Sequence, residues 1–233
     1  MSDRLRELAE EWSVPGPGME ALERLLATLR KDDEAPTTVR DPGRAVNAHV
    51  ADALTGLMVP ELERATRVAD IGAGAGVPGL VLAAARPAMH VTEVESQSRK
   101  CAFMERVIER MRLPNADVAC ARAEEWTAGR DACDAVTARA VGALPLVVEY
   151  AAPLLTMGGV LVAWKGTPDP QEAADGDHAA EVLGLEPARV VRVPPFPGGD
   201  ERNLYVYLKV RSLPNRYPRR AGIARKRPLR AST

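Results

Sequence analysis

Histidine and cysteine are scarce in this chain of 233 residues, which contains three of each. The cysteines, Cys101, Cys120 and Cys133, are odd in number, and their spacings match no metal site. We therefore predict no metal centre, and we expect reduced thiols that fill the core of a cytoplasmic protein. The histidines are scattered and none adjoins a candidate nucleophile, which disfavours catalysis by a histidine dyad.

Long apolar runs are also missing. No run approaches the ~20 residues that a membrane-spanning helix requires. The first residues, MSDRLREL, are charged where a secretory signal would become apolar. We therefore expect a cytoplasmic protein that contacts no membrane. The composition that remains, 46% hydrophobic and 27% charged, is that of an ordinary globular domain.

Charge is distributed unevenly, although the formal net charge is only −1. Residues 1–35 carry nine acids against five bases, whereas residues 209–233 carry nine bases and no acid. Such a basic segment indicates a polyanionic partner, but a disordered, solubilising tail has the same composition. Composition alone leaves both interpretations open.

The apolar pattern divides the chain into three parts. In the first part, apolar residues recur at helical spacing, and Asp41-Pro42 has the residue types of an N-cap and a first helical position. From residue 66, short apolar runs alternate with helical segments. The predicted strands are 67–71, 90–94, 117–121, 135–138, 160–164, 188–193 and 203–210, and the predicted helices are 77–86, 98–112, 144–155 and 171–183. We expect an N-terminal helical extension (1–60), a binding domain (61–212) and a basic C-terminal arm (213–233).

Alternating strands and helices predict an α/β fold, in which helices cover both faces of a parallel sheet. The last two strands are joined by PPFPGGD, which is too short for a crossover helix, so they should pair antiparallel. A parallel sheet that ends in an antiparallel hairpin differs from the plain doubly wound dinucleotide fold.

A glycine-rich loop, DIGAGAGVPG, occupies residues 70–79, between a predicted strand and a predicted helix. Gly72, Gly74 and Gly76 remove side chains that would block a ligand, and they allow positive φ angles. Backbone N–H groups at the start of the next helix would then face the ligand. The loop also satisfies G-x-G-x-x-G, so NAD or FAD and S-adenosylmethionine are both candidates.

Residues around the loop favour S-adenosylmethionine. The carboxylate of Asp70 would repel a pyrophosphate but suits a ligand with an ammonium group, and Pro78 removes an N–H from the anion cradle. Glu95, at the end of the second strand, suits the ribose diol of either ligand. Ala123-Glu124, after the third strand, can bind an adenine edge through an acidic side chain and a nearby N–H.

The motifs together resemble a known family. DIGAGAGVPG, VTEVESQSRK, ARAEE, VTARAV, WKG and RYPRRAG, in this order and spacing, are similar to the RsmG (GidB) family of small-subunit ribosomal RNA guanine-N7 methyltransferases. The resemblance covers roughly residues 40–230. It implies a Rossmann-like class I fold that binds S-adenosylmethionine, with a mostly parallel seven-stranded sheet, an antiparallel last strand and an N-terminal helical extension.

The resemblance also implies roles for individual residues. It places Gly72, Val77, Glu95, Ala123 and Glu124 at the cofactor, in addition to Asp70, Gly74 and Gly76, and it places Arg139 near both the methyl donor and the target base. The residues that correspond to RNA-contacting positions are Lys165, Arg202, Arg216, Tyr217, Arg219 and Arg220. His49 and Asp52 match the family's H-x-x-D-S-L helix, with Ala53 in place of the serine, and PTTVRDP stands where the family has an N-L-T-like stretch.

The chemistry of guanine N7 agrees with what the sequence lacks. N7 carries a free lone pair, so its methylation needs no general base. No N-P-P-Y-like segment, typical of amino-group methyltransferases, follows the fourth strand, and TARAV stands there instead. Catalysis would then consist mostly of positioning, and we expect Arg139 to orient the base or the cofactor. A salt bridge at the sheet edge is the alternative role for Arg139.

The resemblance thus implies methyl transfer from S-adenosylmethionine to N7 of a guanine in 16S ribosomal RNA near the decoding region. The expected partner is 16S ribosomal RNA or a small-subunit precursor, and we expect a monomer. Three alternatives stay open at this stage. The first is a methyltransferase that acts on another RNA, on a protein or on a small molecule. The second is a non-catalytic module that binds RNA or a nucleotide. The third is a dehydrogenase.

Overall fold

The computed structural model describes residues 3–166, 169–196 and 202–231. The helices are α1 (Asp3–Glu11), α2 (Gly16–Lys31), α3 (Pro42–Ala45), α4 (Asp52–Leu54), α5 (Pro60–Glu63), α6 (Gly79–Ala85), α7 (Ser98–Met111), α8 (Leu144–Ala151), α9 (Pro170–Leu183) and α10 (Ile223–Lys226). The strands are β1 (Arg67–Ile71), β2 (His90–Glu95), β3 (Ala116–Cys120), β4 (Cys133–Arg139), β5 (Leu155–Lys165), β6 (Arg189–Arg192) and β7 (Asn203–Leu208). In these ranges, no helix is both long enough and apolar enough to span a membrane.

The seven strands form one sheet in the order β3-β2-β1-β4-β5-β7-β6. Strands β3, β2, β1, β4 and β5 pair in parallel, and β7 pairs antiparallel with both β5 and β6. The predicted antiparallel hairpin is therefore confirmed, although part of its connection, residues 197–201, lies outside the described residues. Each predicted strand is found. β5 begins at Leu155 rather than at residue 160. The prediction missed the start of this strand because residues 156–159, TMGG, have the composition of a turn and no apolar pattern.

The N-terminal helices cover one face of the sheet. α2 packs against α6 and α7 through the buried side chains of Leu22, Leu25 and Leu29. Asp41 caps α3, since its side chain accepts a hydrogen bond from the backbone N–H of Arg44 at 2.9 Å. The chain continues from α3 through one π-helical turn, α4 and a 3-10 turn that ends at Met58, so a series of helical turns follows the cap expected at Asp41-Pro42.

The C-terminal segment packs against the domain as far as residue 231. Leu213 and Leu229 contact the hydrophobic core on the other face of the sheet. The side chain of Arg219 forms an ion pair with Glu149 of α8, and the N–H of Ala231 donates to Asp175 of α9 at 3.0 Å. This part of the basic segment is therefore folded, and residues 232–233 lie outside the described ranges.

The expectation of three reduced thiols is wrong for two of the cysteines. Cys101 of α7 and Cys120 of β3 form a disulfide, with their Cα atoms 5.7 Å apart. Their positions differ by 19 in the sequence, and only the packing of α7 beside β3 brings them together. Cys133 is free and buried, and burial raises the pKa of its thiol to about 11.

Candidate active site

The glycine loop follows β1, and the side chain of Asp70 binds the backbone at the end of the loop. The Asp70 carboxylate is buried and accepts hydrogen bonds from the Gly79 N–H at 3.0 Å and from the Thr137 hydroxyl at 2.8 Å. One carboxylate therefore joins β1 to β4 and to the first turn of α6. This contact uses an N–H that would otherwise be available to an anion. The sequence predicted Asp70 to contact a cationic ligand, whereas in the structure it lies beneath the loop.

The loop has the backbone conformation that its glycines allow. Gly72, Gly74 and Gly76 have φ angles of +67°, +60° and +79°. A Cβ atom on Gly72 would lie 2.9 Å from Val141 Cγ2, so this position lacks room as well as a suitable backbone angle for another residue. The loop can therefore approach Val141, which follows β4, closely.

One cavity, of about 170 Å³, lies at this edge and is called here the cofactor cavity. The residues that line it include Ile71, Gly72, Val94, Glu95, Ala123, Glu124, Val141, Tyr150 and Arg225. The ends of three neighbouring strands thus bring together four of the predicted cofactor residues. The others, Asp70, Gly74, Gly76, Val77 and Arg139, are absent from the described wall of this cavity.

The two acids of the cofactor cavity have fixed positions. Glu95 is buried, and its Oε1 atom accepts from the backbone N–H groups of Ser96 and Gln97 at 2.7 and 2.9 Å. Glu124 accepts a hydrogen bond from the N–H of Gly222 at 3.0 Å. A carboxylate held in this way can accept hydrogen bonds from a ribose diol or an adenine amino group without first being ordered.

A second cavity, of about 410 Å³, lies beside the first and is called here the arginine pocket. Its lining includes Val39, His49, Arg139, Ala140, Val141, Trp164, Lys165 and Arg202. The structure thus brings together three of the predicted functional cations, Arg139, Lys165 and Arg202, from β4, β5 and the residue before β7. Donors of this kind suit the acceptor edge of a base or a phosphate.

Asp52 of α4 holds two of these cations in place. Its buried Oδ2 lies 2.8 Å from Arg139 Nη1, and its Oδ1 lies 2.8 Å from Arg202 Nε. Arg139 also donates to the carbonyl of Ala48 at 2.9 Å. The Trp164 indole donates to the Asp52 carbonyl at 2.9 Å, so the helix turn that carries Asp52 is itself fixed to β5. The salt bridge considered as the alternative role of Arg139 is therefore present, and it lies in the wall of a cavity.

His49 lies in the same wall and is buried. Its Nε2 donates to the carbonyl of Val39 at 3.1 Å and lies 3.3 Å from the Thr37 hydroxyl. Burial is the largest cause that lowers the pKa of His49, so the ring is neutral at pH 7. Its Nδ1 has no hydrogen-bond partner among the described residues. The segment that replaces the family's N-L-T-like stretch thus fixes the histidine ring.

The two cavities share Val141 in their walls. Ala140, which precedes it, has a φ angle of +58°. Non-glycine residues seldom adopt this left-handed conformation, and those that do cluster at functional sites. The turn lies between Arg139, in the arginine pocket, and Val141, in both cavities. A group in one cavity can therefore lie next to a group in the other.

The remaining predicted RNA-contacting residues differ in how they are engaged. Lys165 Nζ lies 2.6 Å from Glu172 Oε1 and donates to the Gly142 carbonyl at 3.1 Å. In the C-terminal segment, Arg216 and Arg220 are exposed, and Arg219 is paired with Glu149. The ring of Tyr217 is mostly buried, with the guanidinium groups of Arg216 and Arg219 at 5.3 and 5.9 Å from its centroid.

The sequence reasoning missed several residues at these sites. Glu93 of β2 is fully buried next to Asp70, and both its carboxyl oxygens lack a partner in the described ranges. Its signal was present, because Glu93 falls at an inward-facing position of a buried strand. Trp164 is part of the WKG motif, but its hydrogen bond to the Asp52 carbonyl is visible only in the structure. Arg225 was counted only as one of the nine bases of residues 209–233.

This chain is similar to known methyltransferases in both sequence and fold. A family profile described as GidB, rRNA small subunit methyltransferase G, matches residues 19–204. The ribosomal RNA small subunit methyltransferase G of Rubrobacter xylanophilus is 42% identical over 212 residues, which cover 88% of this chain and 80% of that protein. That of Symbiobacterium thermophilum is 39% identical over 227 residues, covering 92% of this chain and 91% of that protein.

A solved structure supports the fold independently. The S-adenosylmethionine-dependent O-methyltransferase from Thermotoga maritima is similar with a TM-score of 0.54 and 17% sequence identity, covering 70% of this chain and 66% of that chain. At this identity the likeness concerns the fold alone. The predicted class I methyltransferase fold is confirmed.

Proposed function

We propose that this chain, which belongs to the GidB family (rRNA small subunit methyltransferase G), transfers the methyl group of S-adenosylmethionine to N7 of a guanine in 16S ribosomal RNA near the decoding region. The observation that carries the proposal is the pair of adjoining cavities, one at the glycine loop and one lined by arginines, which share Val141.

The residues of the cofactor cavity fit S-adenosylmethionine. Gly72 lines the cavity, and its lack of a Cβ lets the loop pass close to Val141. Glu95 and Glu124 offer oriented carboxylates, which suit the ribose diol and the adenine amino group of an adenosine. When bound, this cofactor supplies an electrophilic methyl group on a sulfonium. We assign Gly72, Glu95, Ala123 and Glu124 to its adenosine part, and Asp70, Gly74, Gly76 and Val77 to supporting the loop.

The arginine pocket suits the Hoogsteen edge of guanine. N7 and O6 are both hydrogen-bond acceptors, and Arg139 and Arg202 present guanidinium donors. We propose that Arg139 orients the base through O6 and leaves the N7 lone pair free to attack. The ion pair with Asp52 fixes the direction of both guanidinium groups before the base arrives, which makes Asp52 a positioning residue.

Positioning is the main contribution that the chain makes to the reaction. The N7 lone pair is free at neutral pH, so no side chain has to remove a proton before attack. Holding the two reacting groups in line recovers about 7–11 kcal/mol of the barrier in favourable cases. The buried carboxylate of Asp52 already accepts from two arginines, which agrees with a structural rather than a proton-transfer role for it.

Binding of the RNA backbone is assigned to Lys165, in the wall of the arginine pocket, and to residues of the C-terminal segment. We propose that Lys165, Arg216, Arg219 and Arg220 contact phosphates, and that Tyr217 supports this surface. The target base must be unstacked to enter a pocket, so the substrate is a loop or an incompletely folded precursor of the small subunit. Affinity for the RNA should fall steeply with salt concentration. We also propose that the enzyme acts as a monomer in the cytoplasm.

The test is methyl transfer to small-subunit ribosomal RNA, with the product nucleoside identified by mass spectrometry. We expect N7-methylguanosine from the wild-type chain. Arg139→Ala should lower turnover about 100-fold, because the base loses its orientation. Arg189→Ala, which removes a remote arginine paired with Glu61, is the matched control and should keep full turnover. Absence of N7-methylguanosine would exclude the proposed substrate, and full turnover by Arg139→Ala would remove the role of Arg139.

A further inference from the structure

The C-terminal segment reaches the cofactor cavity. Arg225 of α10 is part of the wall of this cavity, together with Glu95, Glu124 and Tyr150. The N–H of Gly222, immediately before α10, donates to Glu124 Oε1 at 3.0 Å. Glu124, which is assigned to the adenine, is thus hydrogen-bonded to the C-terminal segment. Composition alone shows only that this segment is basic.

Independent contacts hold this segment in place. On one side of α10, Arg219 pairs with Glu149, whose side chain is only 3% exposed. Within α10, Ala224 is buried, and the helix packs against α8. On the other side, the Ala231 N–H donates to Asp175 at 3.0 Å. The position of Arg225 at the cavity therefore follows from packing on both sides of it.

The charges in the cavity explain why an arginine suits this position. Glu95 and Glu124 place two negative charges in a small space, where Lys100 Nζ lies 3.7 Å from Glu95 Oε2. Arg122 and the exposed Arg225 add cations to the cavity wall, and a cation is favourable near two acids. A guanidinium group is planar and stacks on aromatic faces, including an adenine ring. The adenine is the uncharged end of S-adenosylmethionine, so a cation here does not oppose the charge of the sulfonium.

We propose that Arg225 is a cofactor-binding residue whose guanidinium covers the adenine, so that the C-terminal segment forms one wall of the S-adenosylmethionine site. The inference rests on the cofactor position proposed above. It gives the basic segment a second task besides contact with RNA, and it distinguishes Arg225 from its neighbour Lys226, which lies outside the described wall of the cavity.

The test is calorimetric titration of the full chain with S-adenosylmethionine in the absence of RNA. Arg225→Ala should raise the dissociation constant about tenfold, since a stacking cation is lost. Lys226→Ala removes the same charge from the same helix and should change it less than about twofold. Arg225→Lys keeps the charge but not the planar group, and should recover less than half of the loss.

Each outcome has one meaning. Wild-type affinity in Arg225→Ala, or an equal loss in Lys226→Ala, would overturn the proposal, because the effect would then be absent or a matter of net charge. Full recovery by Arg225→Lys would also overturn it, since stacking would not be the cause. Failure of the wild-type chain to bind S-adenosylmethionine would instead count against the proposed function.

Discussion

Asp52 and Glu93 are both buried carboxyl groups near the proposed site, but the first lies beside two arginines and the second beside another carboxyl group. Asp52 contacts Arg139 and Arg202 in the arginine pocket. Glu93 is opposite Asp70 in the register of β1 and β2, beneath the glycine loop. A Cβ atom on Gly79 would collide with the Glu93 carboxyl and approach Asp70 Cβ to 2.9 Å, so the two acids converge on one point.

The surroundings of Glu93 shift its pKa. Burial raises the pKa of Glu93 well above its ordinary value, and the charge of Asp70 raises it further. Burial also raises the pKa of Asp70, although the hydrogen bonds from Thr137 and Gly79 oppose this. Glu93, beneath the loop, therefore keeps its proton to a higher pH than an ordinary glutamate does. The comparison shows that a buried carboxyl group beside two arginines orients those cations, whereas one beside a second carboxyl group favours its protonated form.

The largest effect on methyl transfer is expected from removing the carboxylate of Asp52. Asp52→Asn leaves Arg139 and Arg202 without their shared anion, so their orientation is lost. We expect methyl transfer to fall about 100-fold, since small misplacements in a site have effects of this size. The free energy of unfolding should fall by about 2 kcal/mol, less than for a fully buried pair because both arginines are partly hydrated. Turnover assays and urea denaturation measure the two quantities.

Asp131→Asn is the matched control for this change. It also removes a carboxylate from an ion pair, here with the buried Lys209, and Asp131 lies outside the described walls of both cavities. It should lower stability but leave turnover intact. If both variants lose turnover equally, loss of stability explains the effect and Asp52 has no positioning role.

A smaller, pH-dependent effect is expected at the loop. In the folded chain Glu93 keeps a proton that the unfolded chain releases near pH 4.5, its ordinary pKa. The stability that this proton contributes is full below that pH and is lost as the pH rises through the raised pKa of Glu93. The slope is about 1.4 kcal/mol per pH unit for one proton.

Glu93→Gln cannot ionise and should remove this slope. Urea denaturation from pH 4.5 to pH 8 should therefore show the wild-type chain losing stability relative to Glu93→Gln as the pH rises. Glu109→Gln, a change at an exposed glutamate of α7, serves as the control and should follow the wild-type curve. Parallel curves for the wild-type chain and Glu93→Gln would show that Glu93 has an ordinary pKa.

The smallest effect is expected from the support behind Asp52. Trp164→Phe removes the indole N–H that donates to the Asp52 carbonyl and lies 3.2 Å from the Thr55 hydroxyl. The free energy of unfolding should fall by about 1 kcal/mol for the lost hydrogen bond, and turnover should fall by a few fold. Thermal unfolding and initial rates measure these changes. Trp12→Phe, in the N-terminal region, is the control and should leave turnover unchanged. If Trp12→Phe lowers turnover as much as Trp164→Phe does, the support of Asp52 by Trp164 does not explain the effect.

Much of the fold was predictable because local patterns specify it. The VADI strand, the glycine loop and the apolar helix after it are adjacent in the chain, and their residue types suit only those elements. The short connection after residue 193 required an antiparallel hairpin on length alone. The start of α6 was predicted two residues early, at Val77 rather than Gly79, because Asp70 caps the helix from a neighbouring strand.

The residues of the site were named more easily than their contacts. Arg139 and Arg202 were identified by the motifs around them, but Asp52 is 87 and 150 residues away from them in the sequence. The disulfide between Cys101 and Cys120 and the approach of Arg225 to the cofactor cavity depend likewise on packing between distant segments.

The sequence by itself determined the order of strands and helices and the place of the loop, and it favoured S-adenosylmethionine as the ligand, since periodicity and residue type act over short distances. Tertiary structure decided which carboxyl groups lie beside a cation and which lie beside another carboxyl group. The charge state of a carboxyl group depends on burial and on neighbours within a few ångströms, and for Asp52 and Glu93 those neighbours come from separate elements.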